Sequence, residues 1–214
     1  MSQAVLSLYR DAPVRVRAHV RVRWASCPFR AVAAELPEAG SILEVGCGHG
    51  LLSLHLALTS AGRKVTGIDV DREKLEAATA ASDRAGLAAT FEAVKGAALP
   101  DGPWDGIAIV DVLYLLSADD QRALLGACAE RLTAGGVLAV KEMAPVPRWK
   151  ARWNVIQETA TVKLLAITEG EELTFLPPLE LASAMIASGL EVRERPLHRG
   201  YPHPHHLLVG RKPG

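Results

Sequence analysis

Two acids near the ends of two apolar runs are the residues of this chain best placed for chemistry. Glu44 stands in Ile42-Leu43-Glu44-Val45, Asp69 closes Val65-Thr66-Gly67-Ile68-Asp69, and the first run opens into Gly46-Cys47-Gly48-His49-Gly50. Short β-branched runs read as buried strands of a parallel sheet. Glycines directly after such a strand let the backbone turn tightly and approach a ligand closely. An acid ending the next strand, roughly 20 residues on, is placed to accept hydrogen bonds from ribose hydroxyls. Together they describe a nucleoside pocket. A dinucleotide fingerprint, G-x-G-x-x-G, would need its third glycine where Leu51 stands. Glu44 would also repel a diphosphate, whereas it favours an ammonium or a sulfonium. The ligand expected at this turn is a cationic nucleoside.

This pattern resembles motif I of the class I S-adenosylmethionine (SAM) methyltransferases, and the resemblance continues in order over residues 38–143. Asp69 is similar to their ribose-binding acid, Asp111-Val112-Leu113-Tyr114-Leu115-Leu116 to the segment after their fourth strand, and Leu132-Thr133-Ala134-Gly135-Gly136-Val137-Leu138 to their turn into the fifth. The resemblance implies a doubly wound, three-layer α/β/α fold on a seven-stranded mixed sheet whose last strand is antiparallel. It implies SAM as cofactor and methyl transfer as the reaction. Glu44 would then face the methionine ammonium, with Gly46, Cys47, Gly48 and Gly50 forming the turn against the cofactor. Asp69 would hold the ribose with Val70 beside the adenine, and Asp111 and Val112 would reach the methionine part, mainly through their backbone. The competing reading of both acids is helix capping or a solvated turn. One position departs from the family's pattern: the acid expected five residues before Pro100 is Lys95, which has donors and no acceptor. Adenine recognition then falls to the backbone of Gly96 and Ala97.

Methyl transfer from a sulfonium is an in-line displacement, so alignment supplies much of the rate. A hydroxyl acceptor also needs a general base. The candidates are His203, His205 and His206 in Gly200-Tyr201-Pro202-His203-Pro204-His205-His206, a turn that would overhang the acceptor if the preceding strand runs parallel to the sheet. Imidazole titrates near neutral pH, although a proline-flanked histidine turn is as often a solvent loop. Lys141, Glu142 and Tyr114 are also expected to face the crevice, Glu142 as the second candidate base and Tyr114 as pocket lining. Trp149 and Trp153 lie four apart among basic residues, on a segment that in this family shapes the acceptor site, and Tyr201 joins them as a candidate substrate contact. With Arg15, Arg17, Arg21 and Arg23 they could form a patch for an amphiphilic or anionic acceptor, or touch a membrane surface peripherally. The competing reading is an ordinary amphipathic helix packed on the domain.

Around these residues the chain alternates strand and helix. Leu51–Ser60 reads as helix, Val65–Asp69 as strand, Arg72–Ala85 as helix, and Thr90–Val94 and Gly106–Asp111 as strands. Ala118–Leu132 follows as helix and Val137–Glu142 as strand, an alternation that argues for a parallel sheet covered on both faces. From Arg148 to Ile167 apolar residues recur at helical spacing, and Leu179–Ser188 reads as a further helix. The resemblance implies that Leu190–Pro196 and His206–Arg211 form the antiparallel strand pair six and seven. Residues 1–37 are expected to form an N-terminal cap and 38–214 the SAM-binding domain, with 145–178 a helical insert. Within the cap, Val14, Val16, Ala18, Val20 and Val22 alternate with Arg15, Arg17, His19, Arg21 and Arg23. That period of two fits a strand, while the resemblance implies a helix over the cofactor.

The length of 214 residues suggests one domain with appendages, and 49% hydrophobic residues suffice for a substantial core. Lys and Arg total 24, as do Asp and Glu, so no global charge attracts nucleic acid. Nor does the fourth strand end in the Asn-Pro-Pro-Tyr or Asp-Pro-Pro-Tyr of base-methylating enzymes. Cys27, Cys47 and Cys128 are odd in number and widely spaced, which indicates neither a disulfide framework nor a metal site. No secretory pattern opens the chain and no run approaches the roughly 18 apolar residues of a membrane span. A reducing cytoplasm is the expected compartment. The expected function is SAM-dependent methylation of a small-molecule acceptor, at oxygen. The alternatives are a non-catalytic SAM-binding partner protein and an NAD(P)-dependent oxidoreductase.

Overall fold

A computed structural model describes residues 2–143, 173–197 and 205–214. Its strands are β1 (Gly40–Val45), β2 (Arg63–Asp69), β3 (Ala89–Ala93), β4 (Trp104–Val110), β5 (Leu132–Met143), β6 (Glu191–Leu197) and β7 (His205–Arg211). They form one sheet in the order β3-β2-β1-β4-β5-β7-β6. The first five pair in parallel, and β7 runs antiparallel to both of its neighbours. The helices α4 (Leu51–Thr59), α5 (Arg72–Ala85), α6 (Ala118–Glu130) and α7 (Pro178–Ala187) cover the sheet, preceded by α1 (Ser2–Ser7), α2 (Val14–Ser26) and α3 (Phe29–Ala33).

Successive side chains of a strand point to opposite faces, and this divides the core in two. Ile42 and Ala108 pack with Leu52 and Leu56 of α4 on one face, while Leu43 and Ile107 pack with Leu125 of α6 and Met185 of α7 on the other. The result is the three-layer arrangement. Because β4 adds beside β1, the strand order reverses there and a crevice opens beyond the carboxyl ends of the strands.

The alternating run at residues 14–24 is helical. Val16 and Val20, four apart, are buried in the same core as Val5, Tyr9 and Leu52, whereas Val14 and Val22 stay 71% and 55% exposed. A period of two in valine therefore yields only two core contacts on a helix, and tertiary burial of those two decides the element. β5 starts at Leu132, five residues before the expected Val137, because the Gly135-Gly136 turn is taken up as an irregularity in pairing opposite Trp104 and Gly106.

The glycine turn is built from left-handed backbone: φ is +69° at Gly46, +53° at Gly48 and +72° at Gly50. At Gly50 space is short as well, since an added Cβ would lie 2.6 Å from the Phe91 ring and 2.9 Å from Ala78. Gly50→Ala is expected to cost about 2–5 kcal/mol of stability, the sum of left-handed strain and overpacking. Gly86 also has positive φ, at +58°, but nothing lies within 4 Å of its added Cβ. Gly86→Ala should thus cost only about 1–2 kcal/mol. Chemical denaturation of both variants reads the difference, and equal losses would contradict the role given to Phe91.

Candidate functional site

A cavity of about 340 Å³ crosses the carboxyl ends of β3, β2, β1 and β4. Its wall takes Glu44, Gly46, Cys47 and Gly48 from β1 and the glycine turn, Asp69 and Val70 from the end of β2, and Gly96 and Ala97 after β3. Asp111, Val112 and Tyr114 close it from the end of β4. Eleven expected site residues, scattered over seventy positions of sequence, therefore meet at one crevice. Gly50 is not part of the wall. It packs behind the turn, so its small size serves Phe91 and Ala78 rather than a ligand. Lys95 is exposed and off the wall, leaving backbone at Gly96 and Ala97 in its place.

Glu44 is buried, and its Oε2 accepts hydrogen bonds from the backbone N–H of Ser53 at 2.9 Å and from its hydroxyl at 2.5 Å. Burial pushes its carboxyl up to about 7, and the nearby Asp69 charge adds to the rise, against the lowering effect of Ser53. An acid held in the interior by neutral donors fits a ligand that brings positive charge. Asp69 Oδ2 accepts from the Gly48 N–H at 2.7 Å, and its Oδ1 accepts from the Asp71 N–H at 2.9 Å. The same carboxylate thus shapes the glycine turn and the start of α5. Gly46 and Cys47 both donate their N–H to the Ile68 carbonyl, at 2.8 and 2.9 Å, which locks the turn against β2.

Asp111 has φ +56°, the one left-handed residue other than glycine among those described. Its Oδ1 lies 2.5 Å from Lys141 Nζ and its Oδ2 lies 2.6 Å from Arg23 Nη2. Although burial opposes it, the paired cations hold the Asp111 carboxyl well below the usual range. Glu142 Oε1 accepts the N–H groups of Val112 and Leu113 at 3.1 and 2.9 Å. Sequence reasoning set Lys141 and Glu142 facing the crevice. Both instead turn against the tip of β4 and neither is on the cavity wall. Burial, followed by the Asp111 charge, pushes Glu142 up to about 8.

His205 also lies elsewhere than expected. It opens β7 opposite Met143, is 2% exposed, and its Nε2 lies 3.1 Å from the Ser26 carbonyl. Burial pushes its imidazole down to about 4, and it stands against the end of α2 rather than over the cavity. His206 Nδ1 pairs with Glu194 on β6 at 2.5 Å. His203, Tyr201, Trp149 and Trp153 lie outside the described residues.

Sequence reasoning overlooked two histidines that do reach the wall. His19 of α2 and His49 of the glycine turn meet with ring centroids 4.8 Å apart. Burial lowers both, His49 to about 4, and each is lowered further by the Lys74 charge. Both imidazoles are therefore uncharged at neutral pH. The Tyr9 hydroxyl donates to the His49 carbonyl, fastening the segment after α1 to the turn. Phe29 and Arg23 complete the cover, with the guanidinium carbon 5.8 Å from the Phe29 ring centre. Opposite them Tyr114 stacks on Phe175 with centroids 5.2 Å apart. The alternating run of arginines disguised Arg23, and the thirty positions that separate His19 from His49 concealed their pairing.

Comparison with known proteins agrees with this geometry. A family model described as "Methyltransferase domain" matches residues 42–136. A ubiquinone biosynthesis O-methyltransferase of Xanthomonas axonopodis pv. citri (strain 306) is 30% identical over 167 residues, 76% of this chain and 68% of the relative. That of Psychrobacter arcticus is 28% identical over 197 residues, 87% of this chain and 74% of the relative. Among solved structures, magnesium protoporphyrin IX methyltransferase from Synechocystis PCC 6803 with bound SAH superposes with a TM-score of 0.67 at 20% identity, covering 96% of this chain and 91% of that one. An O-methyltransferase family protein from Burkholderia thailandensis gives 0.69 at 21%, covering 97% and 62%.

Proposed function

The chain belongs to the class I SAM-dependent methyltransferases, and from that premise we propose that it methylates a hydroxyl of a small amphiphilic or anionic molecule. Its enzyme class and its cofactor follow from the family, which removes the nicotinamide alternative. The acceptor is read from the site. The single observation that carries it is the continuity of one cavity from the acids of the glycine turn to an apolar, aromatic wall of Phe29, Tyr114, Leu115 and Leu116. Arg23 on that wall offers a donor to an anionic or polar end of the acceptor. The relatives named ubiquinone biosynthesis O-methyltransferases support oxygen as the methylated atom.

In this reading Glu44 receives the methionine ammonium, Asp69 accepts from the ribose hydroxyls, Val70 lies beside the adenine, and Gly96 and Ala97 read it by backbone. SAM supplies an electrophilic methyl group. The protein aligns the acceptor oxygen with it and excludes water, using the segment 1–37 as a cap through His19, Arg23 and Phe29. Alignment of this kind supplies much of the rate in a displacement. His19 brings an uncharged imidazole to the wall as a candidate acceptor for the hydroxyl proton, whereas Glu142 and His205 are turned into the protein. Among the described residues no helix is long and apolar enough to cross a membrane. The three cysteines are unpaired, and the reading places the enzyme in a reducing cytoplasm.

Transfer of a labelled methyl group from SAM to a panel of phenols and hydroxylated amphiphiles, with and without a carboxylate, tests the proposal. Label is expected in a hydrolysis-resistant ether, with higher turnover for acceptors that carry both an apolar body and an anionic group. Label appearing at nitrogen or as a hydrolysable ester would contradict it. So would tight SAM binding with no transfer to any member of the panel.

A further inference from the structure

The tip of β4 is held by more charge than its own pairing needs. Asp111 follows directly on β4 and Lys141 lies on the adjacent β5, both side chains are 0% exposed, and their contact at 2.5 Å already makes a neutral buried pair. The Asp111 N–H also donates to the Lys141 carbonyl at 2.9 Å, so the two strands are joined without help. Yet Arg23 arrives from α2, 88 positions away in sequence, and places Nη2 2.6 Å from the other oxygen of Asp111, which the Cys27 thiol also approaches at 3.9 Å. The residue it grips is the one with left-handed backbone, φ +56°, and the residues that follow it, Val112 and Tyr114 to Leu116, are cavity wall. Val112 is set closely there, since a Cβ added to Gly46 would lie 2.4 Å from its Cγ2.

We infer that Arg23, Asp111 and Lys141 form a positioning device that makes closure of the N-terminal cap and alignment of the β4 tip a single event. Lys141 fixes one carboxylate oxygen from below, and Arg23 fixes the other only when α2 is seated over the cavity. A seated α2 brings His19 and Arg23 onto the wall, and the gripped Asp111 keeps the backbone turn that sets Val112 and Tyr114 on the wall of the same cavity. Loosening the cap therefore loosens the wall on its far side. Arg23, Asp111 and Lys141 act here through backbone geometry, and no proton transfer is assigned to them.

The inference rests on the cavity being the SAM site, and its test separates the two claims. Hydrogen exchange of the full-length protein is followed over residues 14–26 and 111–116, with and without S-adenosylhomocysteine, alongside calorimetry of the same ligand. Arg23→Met is the informative variant, because it leaves the neutral Asp111–Lys141 pair intact. It is expected to speed exchange in both segments and to weaken the ligand roughly tenfold, within the usual range of coupling between sites. Arg23→Lys should restore most of the protection and the affinity. Faster exchange in 14–26 with 111–116 unchanged would overturn the coupling. Weaker binding with neither segment altered would overturn it too, by making Arg23 a direct ligand contact. If Arg23→Met fails to fold, Arg23→Lys and Lys141→Met are compared in the same way, and independent behaviour of the two segments in both refutes the device. No binding to the unmodified protein would defeat the cavity assignment itself.

Discussion

Asp69→Ala is expected to weaken SAM binding by about 100-fold or more. Each hydrogen bond from a ribose hydroxyl to a charged carboxylate is worth about 1.5–3 kcal/mol, and two of them reach about 3 kcal/mol at the low end, or about two decades of affinity. The carboxylate also receives the N–H groups of Gly48 and Asp71. Removing it therefore releases the glycine turn and the start of α5 together with the ligand. Asp69→Asn keeps the shape and an acceptor oxygen while losing the charge, and should fall between the two. Calorimetry with SAM gives the affinities, and thermal unfolding shows whether the fold survives. Unchanged affinity in a folded Asp69→Ala protein would mean that the ribose lies elsewhere.

Glu44 carries the second large effect, and it is a pH effect. In the free protein burial sets its pKa at about 7, so the carboxyl is largely protonated below that pH and ionised above it. A ligand cation favours the ionised form and lowers the pKa in the complex. Binding below pH 7 must then expel a proton. Affinity is expected to rise as pH rises toward 7, by at most tenfold per unit, and to level off above it. Titrations in buffers of different ionisation heat should show proton release at pH 6 and little at pH 8. Glu44→Gln keeps the contacts to Ser53 in outline but removes the charge. Its affinity at pH 8 should drop by roughly 10- to 100-fold, as expected for losing a charged partner, and its slope below pH 7 should vanish. A slope that persists in Glu44→Gln would assign the titration to another group.

What could be read from the sequence was what adjacent residues determine. Glu44, Gly46, Gly48 and Asp69 belong to two short segments whose strand-turn-helix geometry is local, so their presence at one crevice needs only that β1 and β2 pair in parallel. The parallel part of the sheet followed from the alternation of strand and helix, whereas the antiparallel β7 was legible only through the family resemblance. Side-chain direction at the strand tips was a different matter. Glu142 and Lys141 end a buried strand beside the crevice, but the N–H groups of Val112 and Leu113 and the carboxylate of Asp111 claim them first. His205 is drawn to the carbonyl that ends α2, a contact between residues 179 positions apart. A signal did exist for Asp111. A lysine and an acid at the ends of neighbouring apolar strands are expected to pair when buried. Arg23 gave none, since on an alternating run it is indistinguishable from Arg15 or Arg21 until α2 is seated.

The measurement that bears most directly on the account is a crystal structure of the protein grown with SAM or S-adenosylhomocysteine. The nucleoside should lie across the carboxyl ends of β2, β1 and β4, with its ammonium at Glu44, its ribose hydroxyls on Asp69, and α2 closed over it. A glycine turn left empty at saturating ligand, or one that holds a diphosphate instead, would contradict the central claim.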